Sequence, residues 1–128
     1  CSVATDFDGD GKLEILTFSK FHGDTLAIWH EGQTRDRYEQ VWCDPQKRSF
    51  LHALWAADLN GEKCAVIGNR KDGRDLLLVR YVDGQYTVDV IDHDLGPANC
   101  MVYKHDGSNY IVAAYRETDQ LALYKVVE

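Results

Sequence analysis

The chain has 128 residues, of which 45% are hydrophobic, and this is enough for one domain with a substantial core. A formal net charge of −7 at pH 7 argues against nucleic acid and anionic membrane surfaces as partners, because phosphate binding depends on clustered Lys and Arg. No stretch approaches the roughly 18 apolar residues that span a bilayer, so no membrane insertion is expected.

Short apolar segments separated by glycine-containing turns predict an all-β chain. The strands of a first unit are expected near residues 1–5, 14–19, 25–30 and 37–43. Those of a second unit are expected near residues 51–57, 64–69, 75–82 and 85–92. Those of a third unit are expected near residues 99–104, 109–115 and 120–127. No segment carries a sustained helical period.

The units are copies of one repeat. Residues 59–70 align without gaps on residues 105–116, and both segments continue through a turn into an Asp followed by an apolar strand. The first copy of this repeat begins at Leu13. The corresponding cations of the three copies, Lys20, Arg70 and Arg116, lie 50 and 46 positions apart. This period is typical of β-propeller blades and is too long for most helical repeats.

The repeat predicts part of a β-propeller built from four-stranded antiparallel blades. The blades are expected at residues 1–50, 51–97 and 98–128, and the third has three strands, which makes about two and three-quarter blades. Since a propeller closes with about 4–8 blades, we expect that this stretch does not form a closed propeller by itself. Further blades would come from the same chain or from other copies. The alternative is a twisted sandwich of eleven strands, which would not require a repeat.

One loop matches the calcium-binding pattern DxDxDGxx[DE]. Its acidic positions are Asp6, Asp8, Asp10 and Glu14. Calcium takes about six to eight oxygen ligands, so these carboxylates and the carbonyl of Lys12 are the predicted ligands. An EF-hand would need an acidic residue at position twelve, where this chain has a threonine inside a predicted strand. The remaining alternative is a solvated hairpin that binds nothing.

A strand, this loop, a strand of the type Glu-Ile-Leu-Thr and a glycine-containing turn together resemble the FG-GAP/VCBS repeats of integrin-like and bacterial propellers. The resemblance covers the whole chain as a repeat, and it implies that the bound ion is structural. The second copy of the loop is two residues shorter and has Cys64 in the place of Glu14, and the third opens with Lys104. We therefore expect one Ca²⁺ ion, bound in the first blade.

Other candidate ligand-binding residues carry a weaker signal. His52 starts an innermost strand, where a propeller exposes side chains to its central channel. The cations Lys20, Arg70 and Arg116 end the second strand of every blade, so we expect them on one face. They either bind an anionic ligand or pair with the nearby acidic residue of each copy. Those acidic residues are Asp24, Asp75 and Asp119.

Cysteine and tryptophan residues are expected to have structural roles. No cysteine has zinc-site spacing. Three of them lie in apolar, strand-like stretches and are predicted to be buried free thiols: Cys43, Cys64 and Cys100. The tryptophans are expected to fill the space between blades, with sugar stacking as the alternative.

These observations favour a non-catalytic binding or scaffold module that recognises carbohydrate or protein and is secreted or exposed at the cell surface. The repeat, the calcium loop and the lack of a catalytic motif support this interpretation. The alternative is the propeller domain of a sugar-processing lyase or dehydratase, with channel-lining candidates His52, Arg70, Arg116 and Glu117. In a third interpretation the blades only complete a larger ring.

Overall fold

The chain folds into eleven β-strands that form three antiparallel sheets, each made of strands consecutive along the chain. The computed structural model describes residues 1–19, 24–34 and 36–127. The first sheet contains β1 (Ser2–Thr5), β2 (Glu14–Ser19), β3 (Thr25–Glu31) and β4 (Tyr38–Cys43). The second contains β5 (Leu51–Leu59), β6 (Glu62–Asn69), β7 (Leu76–Val82) and β8 (Gln85–Asp92). The third contains β9 (Pro97–His105), β10 (Ser108–Tyr115) and β11 (Gln120–Lys125).

The all-β prediction is confirmed, and all eleven predicted strands lie within two residues of the observed bounds. Strand order within each sheet follows chain order, as in a meander. Over the described ranges the three sheets do not close into a barrel or a propeller. No helix long and apolar enough to cross a membrane occurs in these same ranges.

Glycine-containing two-residue turns set the hairpins of the second and third sheets. Asn60 and Gly61 have φ values of 57° and 91°, and Asp106 and Gly107 have 49° and 79°. Positive φ at both central residues defines the type I′ turn, whose twist matches that of paired strands. The Asn-Gly and Asp-Gly dipeptides therefore explain why β5–β6 and β9–β10 form tight hairpins.

The repeat is visible in the backbone. Strands β6 and β10 begin and end at aligned positions, residues 62–69 and 108–115. After each strand the chain makes an equivalent contact: Arg70 N–H donates to the carbonyl of Phe50 at 3.0 Å, and Arg116 N–H donates to that of Gly96 at 3.2 Å. Phe50 and Gly96 share a positive φ, of 60° and 71°. Lys20, the aligned cation of the first copy, lies outside the described residues.

Two apolar cores join the sheets through opposite faces of the second sheet. One core places Ile67 of β6 with Leu16 and Ile28 of the first sheet. The other places Val66 of β6 with Ile111 of the third sheet. Because neighbouring side chains of a strand point to opposite faces, the continuous apolar run of β6 can serve both cores. The second sheet is therefore packed between the other two.

The four cysteines are free thiols. Of the three that were predicted to be buried, two are buried. Cys64 and Cys100 are buried, and burial raises the pKa of each thiol to about 12. Cys43 is exposed, contrary to the prediction. It lies at the end of β4, the outer strand of the first sheet, where a side chain needs no apolar surroundings.

Candidate metal centre

The loop between β1 and β2 is bent by its own carboxylates. Asp6 accepts backbone N–H bonds from Gly9 and Gly11, both at 2.9 Å. Asp10 accepts the N–H of Lys12 at 2.8 Å. Gly9 and Gly11 have φ values of 74° and 87°, a region that glycine adopts without steric cost. The aspartates and glycines together turn the chain so that the next carboxylates point to one place.

Four side chains converge at that place: Asp8, Asp10, Glu14 and His30. One ligand atom from each lies within 4.8 Å of all the others, and the cluster could hold a metal ion. Three of the four belong to the predicted ligand set. Asp6 lies outside the cluster, and both of its carboxylate oxygens accept loop N–H groups. That Asp6 and the carbonyl of Lys12 bind the ion remains a prediction.

Glu14 is the buried member of the cluster, with none of its surface exposed. Its Oε2 accepts the N–H of Phe7 at 2.6 Å, whereas its buried Oε1 has no hydrogen-bond partner among the described residues. Oε1 lies 3.5 Å from Nε2 of His30. Burial, with a further contribution from Asp8, raises the pKa of Glu14 to about 7. An unpaired buried carboxylate oxygen is costly without a cation, and this oxygen is directed at the cluster.

His30 is the residue that sequence reasoning missed. Its Nδ1–H donates to the carbonyl of Glu31 at 2.8 Å, and its Nε2 lies 2.7 Å from Oδ2 of Asp10. The Glu31 carbonyl and then Asp10 raise the pKa of His30. The Lys12 N–H and then His30 lower the pKa of Asp10.

The signal for His30 was the strand register. Ile15 of β2 pairs with Trp29 of β3, so the next residue of β3 lies beside the first residue of β2, Glu14. A prediction of the β2–β3 register would therefore have placed the imidazole next to the acidic loop.

A groove opens beside the cluster between the first and second sheets. It has a volume of about 510 Å³, and Asp8 and His30 line it together with Trp42, Tyr81 and Tyr86. The Tyr86 ring centroid lies 5.9 Å from that of Trp42 and 4.9 Å from that of Tyr81. Burial, followed by the nearby charge of the cluster, raises the pKa of Tyr86. The cluster of Asp8, Asp10, Glu14 and His30 thus borders a solvent-accessible groove lined by aromatic side chains.

Two of the weaker candidates, His52 and Arg70, lie elsewhere and are bonded to protein groups. His52 Nδ1–H donates to the carbonyl of Ala98 at 2.6 Å. Arg70 pairs with Glu117 of the next repeat at 3.1 Å, and its guanidinium carbon lies 5.0 Å from the centre of the Phe50 ring. These contacts join the second sheet to the third and to the turn that follows β10.

The expected pairing of each cation with the acid of its own copy is wrong for Arg70, whose ion pair crosses to Glu117. Asp75 lies 3.9 Å from Arg48 instead, because the start of β7 is close to the segment that joins the first two sheets. Arg116 is exposed and has no ion pair with any residue of the described ranges.

Comparisons of the chain with protein-family models, with curated protein sequences and with solved structures found no match.

Proposed function

We propose that the chain is part of a β-propeller of the FG-GAP/VCBS type and that its three sheets are consecutive blades. Three observations support this proposal. Each sheet is a meander of consecutive strands, each packs face to face on the next, and the turn contacts after β6 and β10 repeat with the period of the sequence. Leu121 and Leu123 on the edge strand β11 are exposed, as expected if a further strand or blade covers them.

The first sheet is stabilised by one divalent cation, which the spacing of the loop carboxylates favours as Ca²⁺. The observation that carries this part is the buried, unpaired Oε1 of Glu14 directed into a four-residue cluster. A divalent cation there would offset two of the three carboxylate charges and link the β1–β2 loop to His30 at the end of β3. Its role would be structural.

The module binds carbohydrate or protein in a secreted or cell-surface setting. The groove beside the cluster supports carbohydrate, because the aromatic side chains of Trp42, Tyr81 and Tyr86 line it together with polar groups. The lyase or dehydratase alternative has less support. Its candidates Arg70 and Glu117 bond to each other across repeats, which favours a structural role.

The cation is tested by calorimetric titration of metal-free protein with Ca²⁺. We expect one site in the natural protein, lost in Asp8→Ala and kept in Asp106→Asn, which removes the charge of an exposed aspartate from the equivalent turn of the third copy and suits its positive φ. Bound cation should also raise the melting temperature, because the unfolded chain does not hold the loop geometry. Absence of any heat of binding, or equal loss in both variants, would contradict the site.

The ligand is tested on an array of defined oligosaccharides. Binding should weaken in Gln85→Ala, which changes an exposed residue of the groove, and persist in Gln120→Ala on β11. If no oligosaccharide binds, the carbohydrate proposal is wrong and a protein ligand is favoured.

A further inference from the structure

We propose that the cluster of Asp8, Asp10, Glu14 and His30 binds a first-row transition-metal ion, Zn²⁺ or Mn²⁺, more tightly than Ca²⁺, with Nε2 of His30 as a direct ligand. The inference rests on the proposed cation site but assigns a different metal ion to it. The spacing of the loop carboxylates alone predicts that the ion is calcium. The folded chain adds a nitrogen donor from a different strand, β3.

The orientation of the His30 ring is the first argument. A carbonyl oxygen can only accept a hydrogen bond, so the 2.8 Å contact with Glu31 places a proton on Nδ1. In the neutral ring the lone pair then lies on Nε2, which faces the three carboxylates. Histidine ligands of metal ions are held in this way, with the second ring N–H donated to a carbonyl or carboxylate.

The spacing of the donor atoms is the second argument. Nε2 lies 2.7 Å from Asp10, 3.5 Å from Glu14 and 3.9 Å from Asp8. Ligand atoms around one ion with bonds of about 2.0–2.2 Å lie roughly 3–4 Å apart. A small separation of His30 from Asp10 would thus admit an ion at the centre of the four groups. Without an ion, a proton on Nε2 takes its place by bridging to Asp10.

The donor count is the third argument. Calcium needs about six to eight oxygen ligands, and imidazole contributes little to its binding. Asp6 lies outside the cluster, which contains three carboxylates. Three carboxylates and one imidazole suit Zn²⁺ or Mn²⁺, with water from the open groove completing the shell.

The test compares Zn²⁺, Mn²⁺ and Ca²⁺ on metal-free protein by competition titration. We expect Zn²⁺ to bind at least about a hundredfold more tightly than Ca²⁺, and Mn²⁺ more tightly than Ca²⁺ by a smaller factor. His30→Gln should weaken Zn²⁺ and Mn²⁺ by about 10–100-fold and change Ca²⁺ by less than about threefold. His105→Gln is the matched control, since His105 is exposed beside Asp106 and should leave all three affinities unchanged.

A direct readout is pulsed electron paramagnetic resonance of the Mn²⁺-loaded protein. Nitrogen modulation should be present, should change when histidine is labelled with ¹⁵N, and should vanish in His30→Gln. The labelling experiment uses the unaltered chain and so holds even if the variant fails to fold. Tighter binding of Ca²⁺, or Mn²⁺ bound without nitrogen modulation, would overturn the inference and leave the proposed cation site standing. Failure of every ion to bind would overturn both.

Discussion

Replacing Glu14 with Gln should stabilise the metal-free protein and remove most of the stabilisation that the cation provides. Glu14 is fully buried, and its Oε1 has no hydrogen-bond partner in the part of the chain that the structure describes. The substitution keeps the shape and removes the charge. Without a cation, the folded protein then no longer bears the cost of a buried carboxylate. With a cation, it loses a ligand that faces the centre of the cluster.

The size of the first effect follows from the pKa. Folding raises the pKa of Glu14 from 4.5 to about 7, which corresponds to about 3 kcal/mol once the group is ionised in both states. Because the folded pKa is the higher one, this cost is absent below pH 4.5 and grows as the pH rises to about 7. Metal-free Glu14→Gln should therefore be as stable as the natural chain at pH 4.5 and more stable at pH 8.

The second effect follows from linkage. A cation at a hundred times its dissociation constant stabilises the folded state by about 2.7 kcal/mol, which for a domain of this size raises the melting temperature by roughly 10 °C. Glu14→Gln should lose most of this rise. At pH 8 this loss about cancels the roughly 3 kcal/mol advantage of the metal-free variant, so the two proteins should be about equally stable once the cation is added.

Thermal unfolding followed by circular dichroism at pH 4.5 and pH 8, with chelator or with the cation, measures both effects. Glu62→Gln is the control, because Glu62 is the first residue of β6 as Glu14 is of β2, yet is exposed. This control removes the same charge as Glu14→Gln. It should change the free energy of unfolding by less than about 0.5 kcal/mol, both with chelator and with the cation. A metal-free Glu14→Gln protein less stable than the natural chain at pH 8, but still stabilised by the cation, would refute the reasoning.

Two further predictions concern the contact between the second and third sheets. A Cβ at Gly68 would lie 2.8 Å from Cβ of Pro97, so Gly68→Ala should lower the free energy of unfolding in urea by about 1–3 kcal/mol. Ala114→Val, at the aligned and exposed position of β10, should change it by less than about 0.5 kcal/mol, and an equal loss in both would contradict this contact. A thiol reagent at pH 8 should modify two cysteines of the folded chain quickly and the other two only after unfolding, and early modification of four would contradict the burial. The protected thiols are Cys64 and Cys100.

Much of the fold could be predicted from local patterns. Alternating apolar residues and glycine-containing dipeptides located the strands and hairpins because side-chain direction and turn type depend on a few neighbouring residues. The aligned cations Arg70 and Arg116 predicted equivalent positions, and their backbone contacts with Phe50 and Gly96 agree. The carboxylates of the first loop were visible for the same reason, since a short loop brings its own residues together.

The groups that complete the site were decided by tertiary structure. His30 lies 20 residues from Asp10 in the chain, and Arg70 lies 47 residues from Glu117. Such contacts depend on strand register and on which sheets pack together, and both arise from the summed burial of two apolar cores. The sequence by itself therefore determined the strands, the turns and the acidic loop. Only the packed sheets placed an imidazole against that loop and joined each repeat to the next, because no local pattern records a partner on another strand.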